Sequence, residues 1–362
     1  MSTPESNNAA IGAPPPPAKP LIAISMGDPC GIGAEVIVKA LADPELRSLG
    51  RFVIFGFEDV LGAAADAAGI NPFWFCVSGD KKLRIDSGVI CRSMEEGTAG
   101  YWIHPRPTEK GGRASLSFFD QAIACAKSGE VDAIVTAPIH KTSWKLAGCS
   151  FAGHTDKLAA DLGVKRYTMA FVGGGLSVAL ASAHIGLMQL RNRFTLGMVY
   201  QPIEHLHEAL KNWFGIEDPR LAVLGLNPHA GENGIFGDEE KRVIEPAMQM
   251  ARNQGIRAEG PFPADSFFTP KMRSRFDGVV AMYHDQGLIP VKMLAFDQAV
   301  NLTLGLPVIR TSPDHGTAFD IAGTNRAHPG SMREAIRLAC RIASRNPTST
   351  APPTPPVGTS TT

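Results

Sequence analysis

The feature that most constrains this chain is a series of short apolar runs, each ending abruptly in residues with chemistry to offer. Leu21–Ser25 runs into Met26-Gly-Asp-Pro-Cys-Gly-Ile-Gly33, Ala133–Thr136 into Ala137-Pro-Ile-His-Lys141, and the run 177–182 reaches His184. The run 221–226 leads to Asn227-Pro-His-Ala-Gly-Glu232, 278–283 to His284-Asp-Gln-Gly287, and 304–309 to Arg310-Thr-Ser-Pro-Asp-His-Gly316. Runs this short, bounded by Gly, Pro and Asn, read as buried strands. Helical patterns at 34–42, 115–127 and 239–254 lie between several of them. Strands alternating with helices specify an α/β fold with a largely parallel sheet. In such sheets ligands bind at the carboxyl ends of the strands. Strand ends carrying His, Asp, Lys or Arg therefore mark a site.

A chain of 362 residues has room for two packed domains. Its 35 Lys plus Arg cancel its 35 Asp plus Glu, so nucleic acid and anionic membranes are not expected partners and any anion site must be local. Cys30, Cys76, Cys91, Cys125, Cys149 and Cys340 are scattered without a CxxC pair, as suits reduced thiols in a cytoplasmic protein. Residues 1–19, with Pro14 to Pro17 in a row and no apolar segment, read as a disordered tail rather than a secretory signal. Residues 346–362, mostly Pro, Thr and Ser, read as a second disordered tail. The stretch 167–190 carries no formal charge, but Gly173, Gly174 and Gly175 break it. Two strands joined by a turn fit it better than a membrane span.

His184, His229 and His284 stand at three strand ends and could converge on one divalent ion, leaving positions open for substrate. No local spacing supports them as ligands, and satisfied loop histidines are the bland alternative. Asp265 and Asp285 could orient a ring, ligate directly or be simple loop acids. An anion grip is suggested by His154 and Thr155, where a turn enters a helix at 157–162. Thr155 or Asp156 could equally be only its N-cap. Lys292 lies in an apolar context and needs a partner, and Arg310 leaves a buried strand, a place that suits bidentate contact with carboxylate or phosphate. The loop 27–33 lacks the third glycine of a dinucleotide fingerprint and has no Walker lysine. Gly31 and Gly33 serve either close approach to a cofactor or a tight strand–helix corner.

Together these motifs resemble the 4-hydroxythreonine-4-phosphate dehydrogenase family (PdxA-like). The resemblance is carried by the loop 27–35, Val135-Thr-Ala-Pro-Ile-His-Lys141, Gly153-His-Thr155, Leu226-Asn-Pro-His-Ala-Gly-Glu232, Gly260-Pro-Phe-Pro-Ala-Asp265, Met282-Tyr-His-Asp-Gln-Gly287 and Ile309-Arg-Thr-Ser-Pro-Asp-His-Gly-Thr317. It runs from about residue 21 to 343, with Cys30, Ala34 and Gly186 departing from the family's usual residues. It implies an isocitrate/isopropylmalate dehydrogenase-like α/β fold, with two three-layer α/β domains around an active-site cleft. The first domain is expected over 20–145 plus 305–345, and the second, with dimer contacts, over 146–304. The resemblance further implies a homodimer whose site is shared between chains, with His184, His229 and His284 on a divalent ion (zinc, magnesium or cobalt). His154, Thr155, Lys292, Asn301 and Arg310 would bind a small phosphorylated substrate; Asp265, Asp285 and His315 are, beside what the resemblance implies, candidates to support the site.

The implied reaction is NAD- or NADP-linked oxidation of 4-phosphooxy-L-threonine to 2-amino-3-oxo-4-phosphobutanoate. This β-keto acid would lose carbon dioxide to give 3-amino-2-oxopropyl phosphate for pyridoxal phosphate biosynthesis. Lys292, His154 or a metal-bound water would take the hydroxyl proton. Alternatives are the same chemistry on 4-phospho-D-threonate or -erythronate or an aromatic cis-dihydrodiol, a non-catalytic ligand-binding relative, and a phosphate acyltransferase.

Overall fold

The computed structural model describes residues 19–77, 85–93 and 105–346, so the two expected tails fall almost wholly outside the described residues. Twelve strands form one sheet. In chain order they are β1 (Leu21–Ser25), β2 (Arg51–Gly56), β3 (Trp74–Val77), β4 (Gly88–Ser93), β5 (Ala133–Thr136) and β6 (Thr168–Gly173). The others are β7 (Leu176–Leu180), β8 (Arg220–Leu224), β9 (Arg257–Phe262), β10 (Gly278–Ala281), β11 (Val300–Leu304) and β12 (Ile309–Pro313). Their spatial order is β3-β4-β2-β1-β5-β12-β11-β6-β7-β10-β8-β9. The strands of 20–145 and 305–345 thus fill one side of the sheet, and those of 146–304 fill the other.

β1, β5 and β10 are buried along their whole length, which requires cover on both faces and explains their unbroken apolar sequences. On the first side the helices Glu109–Lys127 and Gly330–Arg345 pack on the strands; on the second, Leu196–Asn212, Glu245–Asn253 and His284–Ala295 do. The expected break at 173–175 is a hairpin. Gly174 and Gly175 both take positive φ (60° and 75°), which a two-residue turn between antiparallel strands demands, and β6 and β7 pair across it. Among the described residues no helix is long and apolar enough to cross a membrane, and no cysteine is paired in a disulfide.

Two expectations are corrected. The apolar run 304–309 is not a strand: Leu304 closes β11, Ile309 opens β12, and Gly305 (φ 80°) and Pro307 make the turn between them. The helix expected over 239–254 begins with a π turn, Glu240–Ile244, before the α-helix Glu245–Asn253.

The sheet also departs from a simple parallel one. Pairing is parallel from β3 through to β12 and from β7 through to β9, but β12–β11, β11–β6 and β6–β7 are antiparallel. These three reversals make the parallel strands of the two sides run in opposite directions.

Candidate active site

The antiparallel centre supplies a polar floor. In the ladder Asn301 faces Ser312 and Phe171, and the same register sets Thr303 opposite Met169. Side chains alternate between faces with period two, so Arg310, Ser312, Asn301 and Thr303 share one face. A cavity of about 910 Å³ opens there, lined among others by Thr136, Asn301, Arg310 and Ser312. It lies over the face of the central strands, not only at carboxyl ends. Loops following β5, β7 and β12 curl over it and bring Lys141, His184, Asp314 and His315 to its walls.

All five residues expected to bind substrate, His154, Thr155, Lys292, Asn301 and Arg310, line this cavity. Arg310 is buried (4% exposed), and among the described residues no carboxylate pairs with it. Its Nε and Nη2 donate to Thr136 Oγ1 at 3.1 and 2.6 Å, and Nη1 donates to Thr303 Oγ1 at 3.5 Å. Burial without a counter-charge pushes its pKa down to about 10. His154 opens the helix His154–Asp161, its ring held edge-on by Phe119 and Trp144 (centroids 4.7 and 5.3 Å). Burial first, and then the Arg310 charge, keeps this imidazole neutral, and its Nε2 is buried without a hydrogen-bond partner. Asn301 Oδ1 is likewise buried and unpartnered. Lys292 Nζ stands 3.3 Å from Asp314 Oδ2, and burial raises the Asp314 pKa despite that ammonium. His315 is held below the usual imidazole range by burial, and its Nδ1 lies 3.1 Å from Gly316 O.

The three histidines follow β7, β8 and β10, which lie side by side in the order β7-β10-β8 and run parallel. Adjacent parallel strands end at one edge, so His184 and His284 meet with ring centroids 6.1 Å apart. Partial burial, Lys141 and His284 lower the His184 pKa, favouring the neutral ring a metal needs. Asp285 Oδ1 is 2.7 Å from His284 Nδ1, an arrangement that orients the ring and leaves Nε2 outward.

His229 stands apart from that pair, against Phe236 (centroids 5.9 Å). It starts a left-handed turn in which His229, Ala230, Glu232 and Asn233 all have φ between 42° and 55°. The buried Glu240 carboxylate holds this turn by accepting from Leu226 N, Asn227 N and Asn227 Nδ2 at 2.8, 2.8 and 2.9 Å. Asp265 is exposed at the start of the short helix Ala264–Phe267, which packs beside the same turn. Within one chain, among the described residues, no three His, Cys, Asp or Glu side chains converge as a metal site. His184 and His284 are therefore two adjacent nitrogen donors of the kind a divalent ion takes, and no third His, Cys, Asp or Glu of the described residues joins them in a metal site.

Gly31 and Gly33 have a packing role. A Cβ on Gly33 would lie 2.1 Å from Met26 O, and one on Gly31 2.9 Å from Thr317 O and Cβ. The loop closes a strand–helix corner against the segment after β12. Sequence reasoning placed Lys141 and Asp314 at site-marking strand ends without giving either a role, and missed Thr136 and Asp156 as cavity residues. Asp314 sits inside the motif 309–317 that contains Arg310, and Thr136 ends an apolar run, so position rather than residue type was the available clue.

The family model for "Pyridoxal phosphate biosynthetic protein PdxA" matches residues 59–339. A 4-hydroxythreonine-4-phosphate dehydrogenase of Desulforapulum autotrophicum is 42% identical over 324 residues, 89% of this chain and 95% of that protein. A D-threonate 4-phosphate dehydrogenase of Cupriavidus necator is 41% identical over 333 residues, 90% of this chain and 98% of that protein. The crystal structure of a 4-hydroxythreonine-4-phosphate dehydrogenase from Burkholderia phymatum superposes with a TM-score of 0.77 at 39% identity, covering 90% of this chain and 98% of that one.

Proposed function

Because the chain belongs to the PdxA family of dehydrogenases, we propose that it oxidises 4-phosphooxy-L-threonine with NAD or NADP to 2-amino-3-oxo-4-phosphobutanoate. That β-keto acid would then lose carbon dioxide to give 3-amino-2-oxopropyl phosphate, in the cytoplasmic synthesis of pyridoxal phosphate. One observation carries the reading: a buried guanidinium meets only hydroxyls, beside an unpartnered imidazole nitrogen, on the floor of a large polar cavity. A buried cation so placed calls for an anionic ligand, and phosphate matches its planar fork.

Arg310, with His154, Thr155 and Asn301, would hold the phosphate at the floor. The Lys292 ammonium would meet the substrate carboxylate at the wall, with Asp314 holding it in place. The hydroxyl proton would pass to Lys292, to His154 or to a metal-bound water; both side chains line the cavity. Bound nicotinamide and a bound divalent ion (zinc, magnesium or cobalt) would supply hydride acceptance and polarisation of the substrate oxygen. We assign the ion to His184, His229 and His284, with Asp285 and Asp265 orienting the set, and assign no cofactor contact to Gly31 or Gly33. The two sides of the sheet would form two domains about the cleft.

We also assign a homodimer that completes the metal set. Each histidine segment is followed by exposed apolar side chains: Leu187 and Met188 after His184, Ile235 and Phe236 after His229, Ile289, Met293 and Phe296 after His284. Apolar surface beside each ligand suits burial by a second copy.

The deciding experiment mixes the purified protein with NAD or NADP and a panel of phosphorylated substrates, with and without EDTA and each metal. Reduced nicotinamide is expected from 4-phosphooxy-L-threonine, abolished by EDTA and restored by one of the three ions. Absence of reduced cofactor with every phosphorylated substrate would overturn the reading. A second reading, 4-phospho-D-threonate as substrate, is favoured by the Cupriavidus relative and is scored in the same panel.

A further inference from the structure

We propose that Thr136 is a positioning residue: its neutral hydroxyl aims the Arg310 guanidinium and leaves the full positive charge for a phosphate dianion. This rests on the reading of Arg310 as the phosphate-holding residue. β5 and β12 are parallel neighbours, with Arg310 beside Ile134 in the ladder, so the long side chain runs forward along β5 to its last residue. There a single oxygen accepts from both Nε and Nη2. That grip on one edge of the fork fixes the guanidinium plane. The Thr303 contact at 3.5 Å lies at the limit of a hydrogen bond, so Nη1 and the second Nη2 proton remain available to a ligand. Thr136 is 1% exposed and Arg310 4%, so the contact between them is sheltered from bulk solvent.

A carboxylate at position 136 would grip the same edge and neutralise the charge before any ligand arrived. A hydroxyl gives direction without charge. The desolvated cation, its pKa pushed down to about 10, is then compensated only when an anion binds. The neutral His154 beside it adds no competing charge.

The test compares Thr136→Val, Thr136→Ser and Thr136→Asp by titration with inorganic phosphate and by steady-state kinetics. Thr136→Val keeps the shape and removes the acceptor. It is expected to weaken phosphate binding and raise KM roughly tenfold or more, the scale of one hydrogen bond to a charged group, while kcat falls far less. Thr136→Ser is expected to recover most of the phosphate affinity, and Thr136→Asp to lose it. Wild-type phosphate affinity in Thr136→Val, or retained affinity in Thr136→Asp, overturns the proposal. If Thr136→Val does not fold, the Ser and Asp variants decide on the same readout. If the unaltered protein binds no phosphate, the reading of Arg310 itself fails; if it binds and all variants match it, only the role of Thr136 does.

Discussion

Arg310 and His154 form a unit in which one charged group and one neutral group are buried together, the arginine charge adding to burial in keeping the imidazole neutral. Replacing Arg310 with Met removes the fork and the charge. A kcat/KM loss of about 30- to 150-fold or more is expected, from about 2–3 kcal/mol of charge-assisted hydrogen bonding, and phosphate should no longer protect the protein from thermal unfolding. Arg310→Lys should recover little of this, because an ammonium cannot reach Thr136 and a ligand with one planar group. His154, Lys292, Asn301 and Arg310 were legible in the sequence because polar or charged types interrupt apolar surroundings, or match a motif. Thr136 was not, because a hydroxyl at the end of a strand is ordinary until the side chain it meets is known.

At the scale of the element, the left-handed turn that begins at His229 is the costliest local conformation described. An L-residue in this region is disfavoured by roughly 1–2 kcal/mol, and four non-glycine residues share it. Glu240 compensates by satisfying two backbone N–H groups and the Asn227 amide. Glu240→Ala should leave those donors unsatisfied and lower stability by about 3 kcal/mol or more, measured by urea unfolding. Glu232→Gly, at an exposed position with φ 42°, should instead raise stability by about 0.5–1 kcal/mol, strain relief exceeding the entropy glycine adds to the unfolded chain.

Periodicity located β1 and β5 to the residue and the β6–β7 hairpin through its glycines, since core strands and tight turns write themselves in composition. It failed for β11 and β12. Val300-Asn-Leu-Thr-Leu304 alternates apolar with polar residues, and Ile309-Arg-Thr-Ser-Pro313 has three polar residues in a row, because one face is the cavity floor. The apolar run between their inner ends drew attention to the turn instead.

The whole molecule carries its histidines in a way that makes it acid-sensitive. His154, His205 and His315 are all held below the ordinary imidazole pKa, in each case mainly by burial. The unfolded chain therefore binds protons that the folded one refuses once pH drops below about 6.5, and folding stability is lost as pH falls through that range. Melting temperatures followed from about pH 7.5 to about 5.5 should decline, and His205→Gln, which keeps a polar partner for Thr168 Oγ1, should decline less steeply. The proposed dimer is tested at the same scale. Met293→Glu and Phe296→Glu place charges on exposed apolar sites and should halve the mass seen by light scattering while far-ultraviolet circular dichroism stays constant.

The reversal of strand direction at β11 has a further consequence. Side chains on β12 alternate between the two faces of the sheet, so the connection 305–308 bears on whether Arg310 and Ser312 face the cavity. One residue inserted there would turn Arg310 and Ser312 to the opposite face and present Thr311 in their place. The length of that link behaves like a reading frame for the floor: Gly305 supplies the positive φ and Leu306 anchors it in the core, while the residue count sets which side chains meet the cavity.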